Sequence, residues 1–236
     1  MQNEYGKLYL IPNFLASDNA DNFIPELVRE KIHHLKIFIV ETEKDARALI
    51  KKLKIFTPQN ELTILLWNEH SDKTKVNDFL KLFEKGNDVG IISDAGLPCV
   101  ADPGNEVVAM AHKKNIEVIP LPGSSSILMA LMASGMNGQS FVFHGYLTID
   151  KIERAKKIKH LELDSRSKNQ SQIFMEAPYR NNQLFEEVLK TCSPDIRLCI
   201  ASNISAANQL IKTKTVKEWS SQKPELHKIP TIFIIG

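Results

Sequence analysis

Two short stretches carry the residue types that chemistry on a small ligand needs. Residues 93–104 read Ser-Asp-Ala-Gly-Leu-Pro-Cys-Val-Ala-Asp-Pro-Gly, and residues 122–126 read Pro-Gly-Ser-Ser-Ser. Each follows a run rich in β-branched residues, Val89 to Ile92 and Glu117 to Leu121, and each leads into a helical pattern. A chain that leaves a buried strand through glycine and proline and then starts a helix builds a ligand crevice at the carboxyl end of a sheet. In the first stretch Asp94 offers a carboxylate to a ribose or to backbone amides, Gly96 lets a ligand approach the main chain, and Pro98 stiffens the loop. Asp102, just before Pro103, reads first as the cap of the helix that follows. In the second stretch Ser124 suits the N-cap, while Ser125 and Ser126 are placed to meet a carboxylate or phosphate at a helix start. Neither stretch matches G-x-G-x-x-G or G-x-x-x-x-G-K-[ST], which weighs against a nicotinamide or nucleoside triphosphate.

Three further groups qualify. Met175–Arg180 reads Met-Glu-Ala-Pro-Tyr-Arg, so Glu176 and Arg180 either face the crevice or pair with each other as a structural ion pair. Glu69 and His70 follow a predicted strand and put a carboxylate and an imidazole at the same sheet edge, a place for acid/base or substrate-positioning work. His33, His34, His112 and His160 fall in helical surface patterns and read as solvated. Lys151, Arg154, Lys156, Lys157 and Lys159, continued by Arg166 and Lys168, read as a solvated helix face that also suits a phosphate backbone. No aromatic-interleaved RNA platform is visible in the sequence.

The elements that must hold these residues alternate along the chain. Strands are predicted at Leu8–Pro12, Ile37–Val40, Leu62–Trp67, Val89–Ser93 and Glu117–Pro120. Between them Phe23, Leu27, Val28, Ile32 and Leu35 share one helical face, and 45–53 and 105–113 are helical. Val76, Phe79, Leu80 and Phe83 predict an amphipathic helix that Gly86 ends. Residues 127–133 are apolar on every side and predict a buried helix. Gly135, Asn137 and Gly138 interrupt the pattern and set a domain boundary, giving an N-terminal domain of residues 1–136 and a C-terminal domain of residues 137–236. The second half predicts strands at 141–145, 172–176, 197–201 and 231–235, a lysine-rich helix at 149–161, a polar loop at 164–169, and a helix carrying Leu184, Phe185, Val188 and Leu189. The fold class is α/β, two α/β domains with a ligand crevice between them, the first built on a parallel sheet covered on both faces.

Composition narrows the class. With 236 residues, 43% of them hydrophobic, and a net charge of +2, charge alone announces no nucleic-acid binder. Three cysteines without a Cys-x-x-Cys pair read as free thiols in a reducing compartment, with no metal centre. The start MQNEYGKLYLIPN is too short and polar for a signal peptide, and no apolar run nears the ~18 residues of a membrane span. The expectation is a soluble cytoplasmic protein.

In order, SDAGLPCVADPG, PLPGSSS, the apolar helix ending ASGM, FVFHGYL and FMEAPYR resemble the tetrapyrrole methylase superfamily of S-adenosylmethionine-dependent methyltransferases. Within it the pattern is most similar to the branch of ribosomal small-subunit RNA cytidine 2′-O-methyltransferases, with their SDAGxPxxSDPG, PGPSA-type and ESPHR-type segments. The resemblance spans nearly the whole chain. It implies a homodimer of two-domain subunits that binds S-adenosylmethionine and acts on ribosomal RNA or the small ribosomal subunit. By the same resemblance the donor meets Ser93, Asp94, Leu97, Ser125 and Ser126, Glu176 lies where the second domain closes on it, and Ala201, Pro230 and Thr231 match other contact points of the family; Gly96 joins them from the reading of the loop itself. Three segments depart from the branch. Ile-Pro-Asn-Phe-Leu-Ala replaces a TPIGNL-like loop, Glu41-Thr42-Glu43-Lys44 replaces an EDTR-like segment, and Thr148-Ile149-Asp150 replaces a proline with adjoining basic residues. Methyl transfer from a sulfonium is an in-line displacement that asks chiefly for alignment and exclusion of water. A ribose hydroxyl also needs a base, for which Glu69 or His70 ranks before Glu176, with Arg180 on a phosphate. Methylation of a tetrapyrrole or other small molecule, or donor binding without turnover, are the competing readings.

Overall fold

The computed structural model describes residues 5–16 and 24–236. Phe23, assigned above to a helical face, lies outside them. The chain divides into two compact units, Met1–Ser125 and Ser126–Gly236. The sequence interruption at 134–139 lies beyond this division, because the apolar helix before it packs with the second unit.

The first unit holds β1 (Leu8–Ile11), α1 (Glu26–Ile32), β2 (Ile37–Val40), α2 (Glu43–Leu53), β3 (Thr63–Leu66), α3 (Leu80–Phe83), β4 (Val89–Ile92), α4 (Asn105–Lys113) and β5 (Val118–Pro120). Its five strands are all parallel, in the order β3-β2-β4-β1-β5. Alternate residues feed two cores, as the period of a strand requires. Tyr9, Ile11, Phe38, Val40 and Ile92 join Val28, Ile32 and Leu49 on one face. Leu8, Ile39, Val89 and Ile91 join Phe83, Val107 and Met110 on the other. A parallel sheet covered on both faces is what the short, continuous β-branched runs predict.

The second unit holds α5 (Ser126–Ser134), β6 (Phe141–Tyr146), α6 (Lys151–Lys168), β7 (Ser171–Met175), α7 (Asn181–Thr191), β8 (Arg197–Ser202), β9 (Leu210–Thr215), α8 (Val216–Ser221) and β10 (Thr231–Ile235). The sheet order is β6-β7-β10-β8-β9, with β6 and β7 parallel and the remaining pairs antiparallel. Phe174, Leu198, Ile200, Phe233 and Ile235 pack with Ile158, Leu161, Leu184, Phe185 and Trp219. Helix α5 lies against β8, β9 and β10.

Four sequence expectations change. Residues 73–79 form a 3-10 helix capped by Asp72, which accepts from the Thr74 amide at 3.0 Å, and only Leu80–Phe83 is α-helical. Phe79 and Phe83 are still buried, so the spacing marked the inward face and not the hydrogen-bond period. Residues 164–168 are not a loop: Asp164 pairs with Lys168 one turn on at 2.9 Å, and α6 runs until Asn169 turns into the left-handed region. Strand β9 and helix α8 carry too little apolar content to read from sequence; α8 starts on a capping box between Thr215 and Glu218. Helix α5 is not buried all round, since Leu128 is 51% and Met132 81% exposed.

At Gly90, in the centre of the first sheet, a Cβ would stand 2.6 Å from Ile11 Cδ1 and 2.9 Å from Phe38 Cδ1, both on fully buried side chains. Gly90→Ala is therefore expected to cost about 1–3 kcal/mol through overpacking. Urea denaturation checks this; an unchanged midpoint would show that the sheet core can yield.

Candidate functional site

The candidate site of the first unit forms where the strand order reverses. The chain leaves β1 for β2 on one side and leaves β4 for β5 on the other, so the loops after β1 and β4 part at adjacent strands. Asn13, 6% exposed, ties these loops together. Its Nδ2 donates to the Ser93 carbonyl at 2.9 Å and to the Asp94 carbonyl at 3.0 Å, and its backbone N–H donates to the Gly96 carbonyl at 2.8 Å. Gly96 has φ +70°, and a Cβ there would lie 3.6 Å from the Ser124 carbonyl oxygen. Gly123 lets Pro12 close on it, since a Cβ would stand 2.1 Å from Pro12 Cβ and 3.5 Å from Leu97 Cδ2. Ser93, Asp94, Gly96 and Leu97 thus share one place with the loop that leads to Ser125. Ser126 is the first residue of α5, so Ser125, not Ser124, immediately precedes the helix.

Carboxylates crowd this edge. Exposed Asp94 accepts from Thr42 Oγ1 at 2.7 Å, and its own N–H donates to Glu41 Oε2 at 3.3 Å. Burial, then the Asp94 and Glu69 charges, push the Glu41 carboxyl above its ordinary range, against the Asp94 hydrogen bond. Asp102 is no helix cap: α4 begins only at Asn105, behind Gly104 at φ 126°. Burial raises the Asp102 carboxyl to about 7, with Glu41 and Asp94 adding to the effect and the Ser93 hydroxyl opposing it. The loop also holds Cys99 and Ala101 at φ 66° and 65°. Left-handed backbone at residues with a Cβ costs roughly 1–2 kcal/mol each, strain of the kind that gathers at functional loops. Glu69 and His70, beyond edge strand β3, are 82% and 85% exposed and stand 3.4 Å apart.

In the second unit the sheet register collects the remaining residues at one edge. Ile232 pairs with both Met175 and Ala201, which places Glu176, Ala201, Pro230 and Thr231 side by side. The Ala201 side chain is buried, and Thr231 Oγ1 donates to the Ile229 carbonyl at 2.9 Å. Of the two options open for Glu176 and Arg180, the structure shows the ion pair: Arg180 Nη2 is 2.6 Å from Glu176 Oε1, which also accepts from the Ala177 amide at 2.7 Å. Arg154 does not belong to a solvated face; it is 1% exposed, donates to Glu187 Oε2 at 2.6 Å and stands 3.9 Å from Glu176 Oε2. Its sequence neighbours hid this, because a lysine-rich run gives no sign of which member turns inward. Arg154→Met leaves Glu187 and one side of Glu176 without a cation and is expected to cost about 3 kcal/mol. Urea titration measures it, and wild-type stability would show that the Arg180 contact suffices.

Comparison with known proteins adds names to this geometry. The chain is 30% identical over 175 residues to a ribosomal RNA small subunit methyltransferase I of Synechocystis, covering 74% of this chain and 58% of that protein. It is 26% identical over 213 residues to the Pseudomonas aeruginosa protein of that name, covering 90% and 71%. The chain thus spans about three fifths of the Synechocystis relative's length. Among solved structures, the methyltransferase CobJ shares the fold with a TM-score of 0.65 at 15% identity, over 98% of this chain and 94% of that one. Uroporphyrin-III-C-methyltransferase from Thermus thermophilus gives 0.57 at 14%, over 98% and 92%. The family model for tetrapyrrole (corrin/porphyrin) methylases matches residues 15–219, and the chain belongs to that family.

Proposed function

We propose that this protein is an S-adenosylmethionine-dependent methyltransferase that methylates a ribose 2′-hydroxyl of small-subunit ribosomal RNA, working in the cytoplasm as a homodimer. The observation that carries the reading is the Asn13-tied convergence of the loops after β1, β4 and β5, which places Asp94 among other carboxylates. The names of the relatives supply the acceptor. The residues present fit the donor. Asp94, Glu41 and Asp102 suit its sulfonium and ammonium charges, Gly96 leaves room against the main chain, and Ser125 and Ser126 offer hydroxyls at a helix start. In the second unit the same reading assigns Glu176, Ala201, Pro230 and Thr231 to the donor.

Bound there, S-adenosylmethionine supplies an already activated methyl group. The protein's own task is to orient the nucleophile and take its proton. Glu69 and His70 remain proposed for the proton, and Asp102 joins them, because an acceptor with a pKa near 7 is matched to neutral conditions. Arg180 keeps little free capacity for a phosphate, since its Nη groups already serve Glu176 and Tyr179. For the homodimer, the support is α5, whose exposed Leu128 and Met132 give an apolar face that a second copy would cover.

Calorimetric titration with S-adenosylmethionine tests the reading. Asp94→Ala is expected to weaken binding at least about tenfold, the scale of one lost charged contact; no binding by the folded wild type would overturn the donor assignment. Methyl incorporation into small ribosomal subunits then tests the acceptor, and transfer to a tetrapyrrole instead would replace it. Affinity also depends on pH. Raising pH from 6 to 8 ionises Asp102, whose carboxyl titrates at about 7, and adds negative charge near a cationic ligand. Donor affinity therefore rises across that window in the wild type and stays flat in Asp102→Asn.

A further inference from the structure

Two exposed tyrosines, far apart in sequence, stand at the end of β7 in the second sheet, one paired with Met175 and one in the turn that follows. Tyr146 ends β6 after a register shift with Gly145 at φ 65°, which re-aims the strand end and pairs Tyr146 with Met175. Tyr179 lies in the turn after β7. The tyrosines are 58% and 59% exposed. The Arg180 guanidinium stands 5.1 Å from the Tyr179 ring centre and donates from Nη1 to the Tyr179 hydroxyl at 3.1 Å. Tyr146 is close enough to act on the same guanidinium electrostatically. Arg180 in turn is locked by buried Glu176. Tyr179 is thus mounted on a fixed charge pair.

Lysines lie beside the end of β6, interleaved with Asp150, Glu153 and Asp164. Helix α6 starts five residues after Tyr146 with exposed Lys151, and Lys157 stands near enough to His144 of β6 to lower its pKa, burial being the larger cause. An exposed ring held by an arginine, a second exposed ring on the paired strand and lysines nearby match the chemistry of an unpaired RNA base and its flanking phosphates. We propose that Tyr146 and Tyr179 form a stacking platform for an unpaired base of single-stranded RNA, with Arg180 holding Tyr179 in place and Lys151 and Lys157 meeting phosphate. The proposal rests on RNA being the acceptor and names a recognition surface for it.

The test is fluorescence polarisation of the full protein with a short labelled single-stranded RNA, with calorimetry of S-adenosylmethionine alongside. Tyr146→Ala and Tyr179→Ala are each expected to weaken RNA binding about tenfold, while Tyr→Phe at either position keeps it. The salt dependence of binding keeps its slope in the tyrosine variants and becomes shallower in Lys151→Gln, because only the lysine neutralises a phosphate. Donor affinity stays at the wild-type value in all of them. Wild-type RNA affinity in both alanine variants, or no RNA binding by the wild type, overturns the platform. Loss of donor affinity instead would give these tyrosines to the donor, and dissociation of a dimer in sedimentation would give them to a second copy; either outcome overturns it too. RNA binding that depends on the tyrosines in a protein that binds no donor would keep the platform and sink the methyltransferase reading.

Discussion

The first unit's site depends on the side chain of Asn13. Where a parallel strand ends, its carbonyl groups lose their ladder partners, and buried groups left so are costly. The carbonyls of Ser93 and Asp94 stand at that point, just beyond β4, and the Asn13 amide donates to both. The Asn13 carbonyl oxygen accepts from the Phe14 amide at 2.8 Å, so the asparagine also fixes its own loop. With the backbone settled in this way, the Asp94 side chain is free to project outward and meet Thr42. A hydrophobic residue at position 13 would strand the buried Ser93 carbonyl, release the Asp94 carbonyl and loosen the position of the carboxylate.

The second unit solves the same problem with charge. The chain leaves β7 at Glu176, and its carboxylate takes the amide of the next residue, Ala177. Arg180 closes the turn from the far side, and Arg154 reaches in from α6. Arg154 Nη2 and Glu176 Oε2 are buried without a hydrogen-bond partner, and the nearest approach of the two groups is 3.9 Å. Buried ion pairs of this kind give little net stability, but they forbid alternative packings in which either charge would be left alone.

The sequence made the scaffold legible wherever one physical signal dominated. The all-parallel first sheet followed from short β-branched runs buried on both faces, and the loops at 93–97 and 122–126 followed from glycine, proline and hydroxyl residues after those runs. Signals failed where two structures share one pattern. Val76 to Phe83 place the same residues inward in a 3-10 or an α-helix, and Asp164 and Lys168 look like loop residues until their one-turn pairing is seen. Asp102 looked like a cap because Asp-Pro opens many helices, but Gly104 delayed the start. No sequence signal links Tyr146 with Tyr179, because it is β-sheet register that sets Tyr146 beside Met175, four residues before Tyr179.

The departures from the family pattern gain a physical meaning from this geometry. The first loop lacks the glycine of its resembling branch, yet Pro12 packs against Gly123 and Asn13 holds the Asp94 backbone. The segment after β2 lacks an arginine, yet Glu41 and Thr42 both bond Asp94. These two altered segments therefore still serve the same carboxylate. What the missing arginine changes is charge: Glu41, Asp94 and Asp102 stand without that guanidinium, and burial, then their mutual repulsion, raises Glu41 and Asp102 together. A site left so electronegative disfavours an anionic group close to Asp94 and favours a cation there. On the proposed reading, the phosphates of an RNA acceptor are met by Lys151 and Lys157 of α6, and its unpaired base by the tyrosines near Arg180.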